Sequence, residues 1–245
     1  MLGWIVGFAL LGSAGAVGAA ALLLVVPPRV RERIVPALVS YATGVLLAAA
    51  LLALLPEALA AAPARPVLET LLAGLVVFFL LERVAIWSHS LRVGARHESH
   101  ASAGTLVLIG DALHNAVDGV VVAAAFTSSV PLGIATGLAA FAHEVPQELG
   151  DFAILLESGF TPGRAVVWNL VSGSVTLPAA VAAYLALDLT RGAVPYVLAL
   201  AAASFLYIGL ADLVPGLHDR SGSRFGWREI ALLLLGVASI VSLGA

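Results

Sequence analysis

Residues 113–119 read LHNAVDG and residues 142–151 read AHEVPQELGD. Imidazoles, carboxylates and carboxamides recur there inside segments that are otherwise Ala, Val, Leu and Ile. At about 100° per residue, Asp111, His114, Asn115 and Asp118 fall within an arc of roughly 100° on one helix. His143, Glu144, Gln147, Glu148 and Asp151 fall within roughly 140° on the next. Two such polar faces can converge. Nitrogen and oxygen donors without thiolate suit a borderline divalent cation such as zinc, iron(II) or manganese(II). Any single residue of the set, Asp111 and Asp151 near the span ends above all, has the alternative of a hydrogen-bonded packing role. Taken together, His114 with Asp118 and His143 with Gln147 repeat an i, i+4 spacing on two helices, which is how a metal is gripped.

The elements that carry these residues are set by composition. Hydrophobic residues make up 61% of the chain and charged residues 11%, with a mean hydropathy of +1.05. An ordinary globular domain has about 45–50% apolar and ~25% charged residues. The chain therefore reads as an integral membrane protein. It has no cysteine, which excludes disulfides and thiolate metal sites. A net charge of −3 gives no reason to expect a nucleic-acid partner. The basic residues are all Arg and Ala is abundant, which points to a GC-rich bacterial genome.

Apolar runs near 3–26, 35–60, 67–88, 103–126, 132–156, 164–187, 193–216 and 227–244 each approach the ~20 residues of a membrane-spanning helix. The expected fold class is an all-α integral membrane protein of eight spans, a single transmembrane domain over 1–245 without a soluble domain. The first run lacks the positive leader of a signal peptide and is kept as a span. Arg29, Arg31, Arg33, Arg92, Arg96, Arg164, Arg220, Arg224 and Arg228 fall in one set of loops, and only Arg65 and Arg191 in the other. The positive-inside rule places the first set in the cytoplasm and both termini outside.

No cation occurs between Arg96 and Arg164, whereas Asp111, Asp118, Glu144, Glu148 and Asp151 all do. Carboxylates inside a bilayer are expensive, and they normally pair or line an ion path. Pro146 has no amide hydrogen, so it frees the carbonyl of Ala142 and is expected to kink the fifth span.

HNAVDG and HEVPQELGD resemble the paired signatures of the ZIP family of divalent metal transporters, H-N-x-x-D-G and H-E-x-P-x-E-x-G-D. The resemblance extends to ALLPEAL, FFLLER, NLVSGSVTLP and SFLYIGLADLVP, and so covers most of the chain. It implies inverted repeats of spans one to three and six to eight around a central four and five, of which ALLP at 53–56 and DLVP at 212–215 are a faint trace. It also implies a principal transport site of His114, Asp118, His143 and Gln147, and a neighbouring second site of Asn115 and Glu144. Glu148, Asp151 and Asp111 are subsidiary candidates. Gln147 stands where relatives carry His or Glu, and Thr176 where some carry a Glu of the second site.

The expected function is movement of a divalent metal toward the cytoplasm, zinc foremost, with iron(II), manganese(II) or cadmium as further cargo and no catalytic cofactor. Two alternatives are an intramembrane metal-dependent hydrolase and a proton or metal channel built on the acidic row. HEVPQ lacks the second His of H-E-x-x-H, and no separate base is evident, so no enzyme is expected. The expected setting is a bacterial inner membrane, with the lipid bilayer and the ion as partners and a homodimer compatible with small residues such as Gly104, Gly110, Ala112 and Ala116. His89, His97 and His100 read as a solvated loop with transient metal handling as the alternative. Glu82 beside Arg83 reads as an interfacial charge, and Asp212 as either a structural partner or part of the path.

Overall fold

The computed structural model describes residues 1–93, 101–215 and 226–243, and these are helical almost throughout, with no strand among them. Helix α1 covers Leu2–Val25, α2 Pro28–Ala61, α3 Ala64–Val93, α4 Ala101–Ser128 and α5 Val130–Glu157. Helix α6 covers Pro162–Leu189, α7 covers Val194–Tyr207 and continues through Ile208–Leu213, and α8 covers Trp227–Ser242.

Local chemistry explains the boundaries. Proline stands in the first turn of α2, α5, α6 and α7, where its missing N–H has no intrahelical partner to lose. The Ser129 hydroxyl accepts from the Leu132 N–H at 3.2 Å and starts α5. Gly159, at φ +87°, ends it. Phe160 N–H donates to the Leu155 carbonyl and Gly159 N–H to that of Leu156, both at 3.0 Å, so the last carbonyls are met. Helix α2 begins seven residues before the apolar run, because Arg29, Arg31, Glu32 and Arg33 are helical as a polar flank. Pro146 sits inside a continuous α5; the lost bond to Ala142 does not break the helix. Helix α6, by contrast, is interrupted between Gly173 and Thr176. Pro178 there cannot donate to the carbonyl of Ser174.

Among the described residues, π-helical turns lie at Leu11–Gly15 in α1, Ala49–Leu54 in α2 and Ile208–Leu213 in α7. Such turns widen a helix and re-aim its side chains. The first one carries Ser13 toward the polar interior, where the Ser13 hydroxyl donates to the Ala9 carbonyl at 2.8 Å.

The distribution of polarity is that of a protein dissolved in lipid. Asp111, Asn115, Asp118, His143, Glu144, Glu148 and Asn169 are buried, while Leu72, Leu80 and Leu234 are more than half exposed. Among the described residues, six helices are long and apolar enough to cross a bilayer: α1, α2, α4, α6, the first part of α3, and the stretch through α7. Helix α5 is long enough but carries Glu144, Glu148, Asp151 and Glu157, and α8 has 16 residues.

The interior is largely alanine. Ala48, Ala49 and Ala53 of α2, Ala124 and Ala125 of α4, Ala135 and Ala139 of α5, and Ala201 and Ala202 of α7 form one buried cluster with Phe205. Short side chains let these helices approach closely. Gly119 shows how tight this is: a Cβ there would overlap the carbonyl oxygen of Thr176 on α6.

Candidate metal centre

Helices α4 and α5 pack along each other and bring their polar faces together. His114 Nε2 lies 3.1 Å from His143 Nε2 and 3.1 Å from Glu144 Oε1. His143 Nε2 lies 3.2 Å from Asp118 Oδ2 and 3.5 Å from Glu144 Oε1. Two donors about 2.0–2.1 Å from a tetrahedral ion are roughly 3.3–3.4 Å apart. The observed separations bracket that spacing, so these four residues converge as ligands to one centre would.

The ring of His143 is oriented for this. Its Nδ1–H donates to the Ala139 carbonyl at 3.0 Å, since a carbonyl can only accept. In the neutral imidazole this leaves the Nε2 lone pair facing Asp118, Glu144 and His114. Phe205 of α7 meets the same ring at 5.7 Å between centroids and 63° between planes, and walls the site on that side. His114 is the accessible member: its side chain is 21% exposed, whereas those of Asp118, His143 and Glu144 are 1–3% exposed.

A second group adjoins the first. Asp111, Glu144 and Glu148 each place one oxygen within 4.8 Å of the others. Glu144 belongs to both groups. Asn115 holds Asp111 in place, donating from Nδ2 to Asp111 Oδ1 at 2.9 Å and to the Asp111 carbonyl at 3.2 Å. The Thr176 hydroxyl lies 2.7 Å from Asn115 Oδ1 and 2.8 Å from the Gly173 carbonyl and donates toward both. Thr176 thus lies directly across from Asn115.

The electrostatics are those of an unneutralised site. Both oxygens of Asp118, Glu144 and Glu148, and Oδ2 of Asp111, are buried without a hydrogen-bond partner among the described residues. The Arg–carboxylate pairs among those residues are Arg65–Glu69 and Arg191–Asp188, and both are exposed. Apart from the His114 and His143 imidazoles beside Asp118 and Glu144, these carboxylates have no basic partner among the described residues; burying them so is costly, and a cation meets the need of all of them at once.

Gln147 is half-buried on the turn after His143, and Asp151 is half-buried one turn beyond that; neither is in the two convergent groups of acidic and imidazole side chains. His97 and His100, and the side chains of Glu82, His89 and Asp212, lie outside the described residues; Arg83 is exposed. Two residues had been read only as letters within longer motifs. Glu57, at the end of α2, accepts a hydrogen bond from the Ser128 hydroxyl at the end of α4. Asn169 is fully buried in α6 with neither side-chain atom partnered among the described residues. A lone amide in an apolar span, four residues before Gly173 and seven before Thr176, was the available signal for it.

Comparison with known proteins places this geometry. A family model described as ZIP Zinc transporter matches residues 88–244. Zinc transporter ZIP4 of Rattus norvegicus is 45% identical over 119 residues, which is 49% of this chain and 18% of that protein. Zinc transporter ZIP6 of Homo sapiens is 37% identical over 148 residues, 57% of this chain and 20% of that protein. Zinc transporter foi of Drosophila melanogaster is 35% identical over 146 residues, 60% of this chain and 20% of that protein. The matched segment thus spans about a fifth of the length of each of these animal proteins.

Proposed function

This chain belongs to the ZIP zinc transporter family, and from that membership and the buried cluster we propose that it carries a divalent transition metal, zinc foremost, across a membrane toward the cytoplasm. One observation carries the reading: two imidazoles and two carboxylates converge within 3.1–3.5 Å contacts in a lipid-exposed helical protein, with no Arg or Lys paired to them among the described residues. The family is one of zinc transporters, so the hydrolase alternative is set aside.

The ion leaves its water for His114, Asp118 and His143, with Glu144 at the shared edge and Gln147 one turn away. It then passes to the side of Asp111, Glu144 and Glu148, beside Asn115, and on toward Asp151. Two negative charges at the first station balance a divalent cation, and two neutral imidazoles keep the station from holding it more tightly than turnover allows. Iron(II), manganese(II) and cadmium fit the same donors. The arrangement behind this is eight spans in one transmembrane domain, with spans one to three and six to eight as inverted repeats and α4 and α5 between them. Both termini face outward, in a bacterial inner membrane; a homodimer is compatible with the small-residue faces.

Uptake of radioactive zinc into proteoliposomes, with and without a pH gradient or a potential, tests the function. Saturable uptake that competing divalent metals inhibit is expected. Proton flux without metal uptake would instead assign the acidic row to a proton path.

A further inference from the structure

Asn169 is an anomaly in a well-packed helix. Its side chain is fully buried, and neither Nδ2 nor Oδ1 has a hydrogen-bond partner among the described residues. Its backbone carbonyl is used by the Ser172 hydroxyl at 3.1 Å, so the unmet capacity is all in the side chain. Burying a carboxamide with its donors and acceptor unmet is costly, and packing alone would favour leucine at such a position.

The location of the amide indicates what it meets. Asn169 lies four residues before Gly173, on the same face of the first part of α6. A Cβ at Gly173 would lie 3.8 Å from Asn115 Oδ1, 3.9 Å from Glu148 Oε1 and 3.6 Å from Ser13 Cβ, so this face borders the group of Asp111, Glu144 and Glu148. One turn in the other direction, Ala165 is buried with Val17, Ala20, Phe152 and Leu155. Asn169 therefore stands between the acidic group and an apolar plug, at the last polar level of α6 before that plug. Glu148, on the bordering helix, also has both oxygens unpartnered. Amide N–H groups would satisfy those oxygens, yet the two side chains are not paired. A cation reconciles them, because carboxylate oxygens and an amide oxygen all offer it lone pairs.

We propose that Asn169 is a neutral oxygen ligand of an inner cation station whose other donors are Asp111, Glu144 and Glu148. This rests on the reading of the chain as a divalent metal carrier. The consequence is a difference in kind between the two stations. The outer one has two imidazoles, and the inner one has oxygen donors only. Imidazole suits zinc, whereas oxygen sets suit harder ions such as manganese(II). Zinc thus moves from its stronger site to its weaker one on the way in, and a neutral amide completes the inner station without the further charge that would turn it into a trap.

The test uses the full-length protein with Asn169→Leu and Asn169→Asp, and Asp118→Asn as a control on the carrier reading. Manganese(II) binding is followed by electron paramagnetic resonance, thermal stability is measured with and without manganese(II), and zinc uptake is measured in proteoliposomes. Asn169→Leu is expected to keep or raise the metal-free Tm, because an unpartnered amide has been removed. It should weaken manganese(II) binding about tenfold, the loss of one neutral ligand at ~1.4 kcal/mol, and lower the maximal transport rate more than the apparent affinity for zinc. Asn169→Asp should bind manganese(II) more tightly than the wild type, because a charged oxygen replaces a neutral one, and release zinc more slowly. Wild-type manganese(II) affinity and transport in Asn169→Leu would overturn the assignment, as would unchanged affinity in Asn169→Asp should the leucine variant fail to fold. If Asp118→Asn also binds and transports like the wild type, the carrier reading itself has failed.

Discussion

Glu144→Gln is the sharpest single perturbation of this site, because it preserves shape and removes only the charge that the two donor groups share. The family resemblance implies a place for Glu144 in the second site with Asn115. The geometry assigns it more: Oε1 is 3.1 Å from His114 Nε2 and 3.5 Å from His143 Nε2, and the carboxylate also joins Asp111 and Glu148. A unit negative charge about 4 Å from a divalent ion contributes roughly 8 kcal/mol at an effective dielectric of about 20, before the ion's dehydration is subtracted. Removing one partner of a buried charge pair costs about 3–5 kcal/mol net, or roughly two to four orders of magnitude in affinity. Zinc binding by calorimetry in detergent should therefore weaken at least a hundredfold, and uptake at matched expression should fall below a tenth of wild type. Asp118→Asn, which changes a carboxylate in the first group only, should show a comparable loss of affinity with less effect on the ion's passage to the second. An unchanged Tm would confirm that the fold is intact. Zinc affinity within threefold of wild type in Glu144→Gln would refute the placement of Glu144 at the shared edge.

Gly119→Val should lower Tm by several degrees, corresponding to about 1–3 kcal/mol of overpacking, because the new side chain meets a backbone carbonyl of α6 that cannot rotate away; Gly110→Ala, with nothing within 4 Å of its Cβ, should be neutral in the same melt. Gln147→His should tighten zinc binding severalfold by calorimetry and slow uptake, since a carrier must also release its ion; faster uptake with unchanged binding would place Gln147 off the path. A cysteine at Ala62 should react with an impermeant thiol reagent in intact spheroplasts, and one at Ser221, outside the described residues, only after the cell is opened; the chain has no native cysteine to confuse the result. Labelling of Ser221→Cys from outside would reverse the proposed orientation.

Much of the fold was legible because a bilayer imposes one simple rule. Every backbone polar group must be met within the helix, so runs of about 20 apolar residues read directly as helices. What hydropathy misses is where a helix stops being apolar without ceasing to be a helix. Residues 28–34 of α2 and 89–93 of α3 continue the helix beyond the apolar window, because polar flanks at a membrane surface lose nothing by staying hydrogen-bonded internally. The interruption of α6 had a local signal in Pro178, which cannot serve the carbonyl of Ser174, whereas the α5 proline, with the same missing bond, left the helix whole. The difference is that Gly173 and Ser174 precede the α6 proline and tolerate a turn, while Pro146 is flanked by packed residues on both sides.

The site was legible to the helix and the face, and less so to the atom. Counting i, i+4 positions treats each ligand as a point on a cylinder, and on that count His143 pairs with Gln147. Glu144 lies about 100° around from His143, outside the narrow stripe, yet its longer side chain reaches the seam because α4 approaches α5 from that side. Whether a residue at the edge of a polar arc faces the partner helix depends on where the partner crosses, and that is a tertiary fact. Asn169 was less legible still, since a single amide in α6 has no periodic companions apart from Gly173 and Thr176, which contribute a gap and a hydroxyl rather than further ligands. What gives the amide its proposed role is that Gly173, one turn along α6, borders Glu148 and Asn115. Both cases follow from one cause: alanine-rich helices approach so closely that a side chain's length and the crossing of its neighbour, more than its phase on its own helix, determine what it touches.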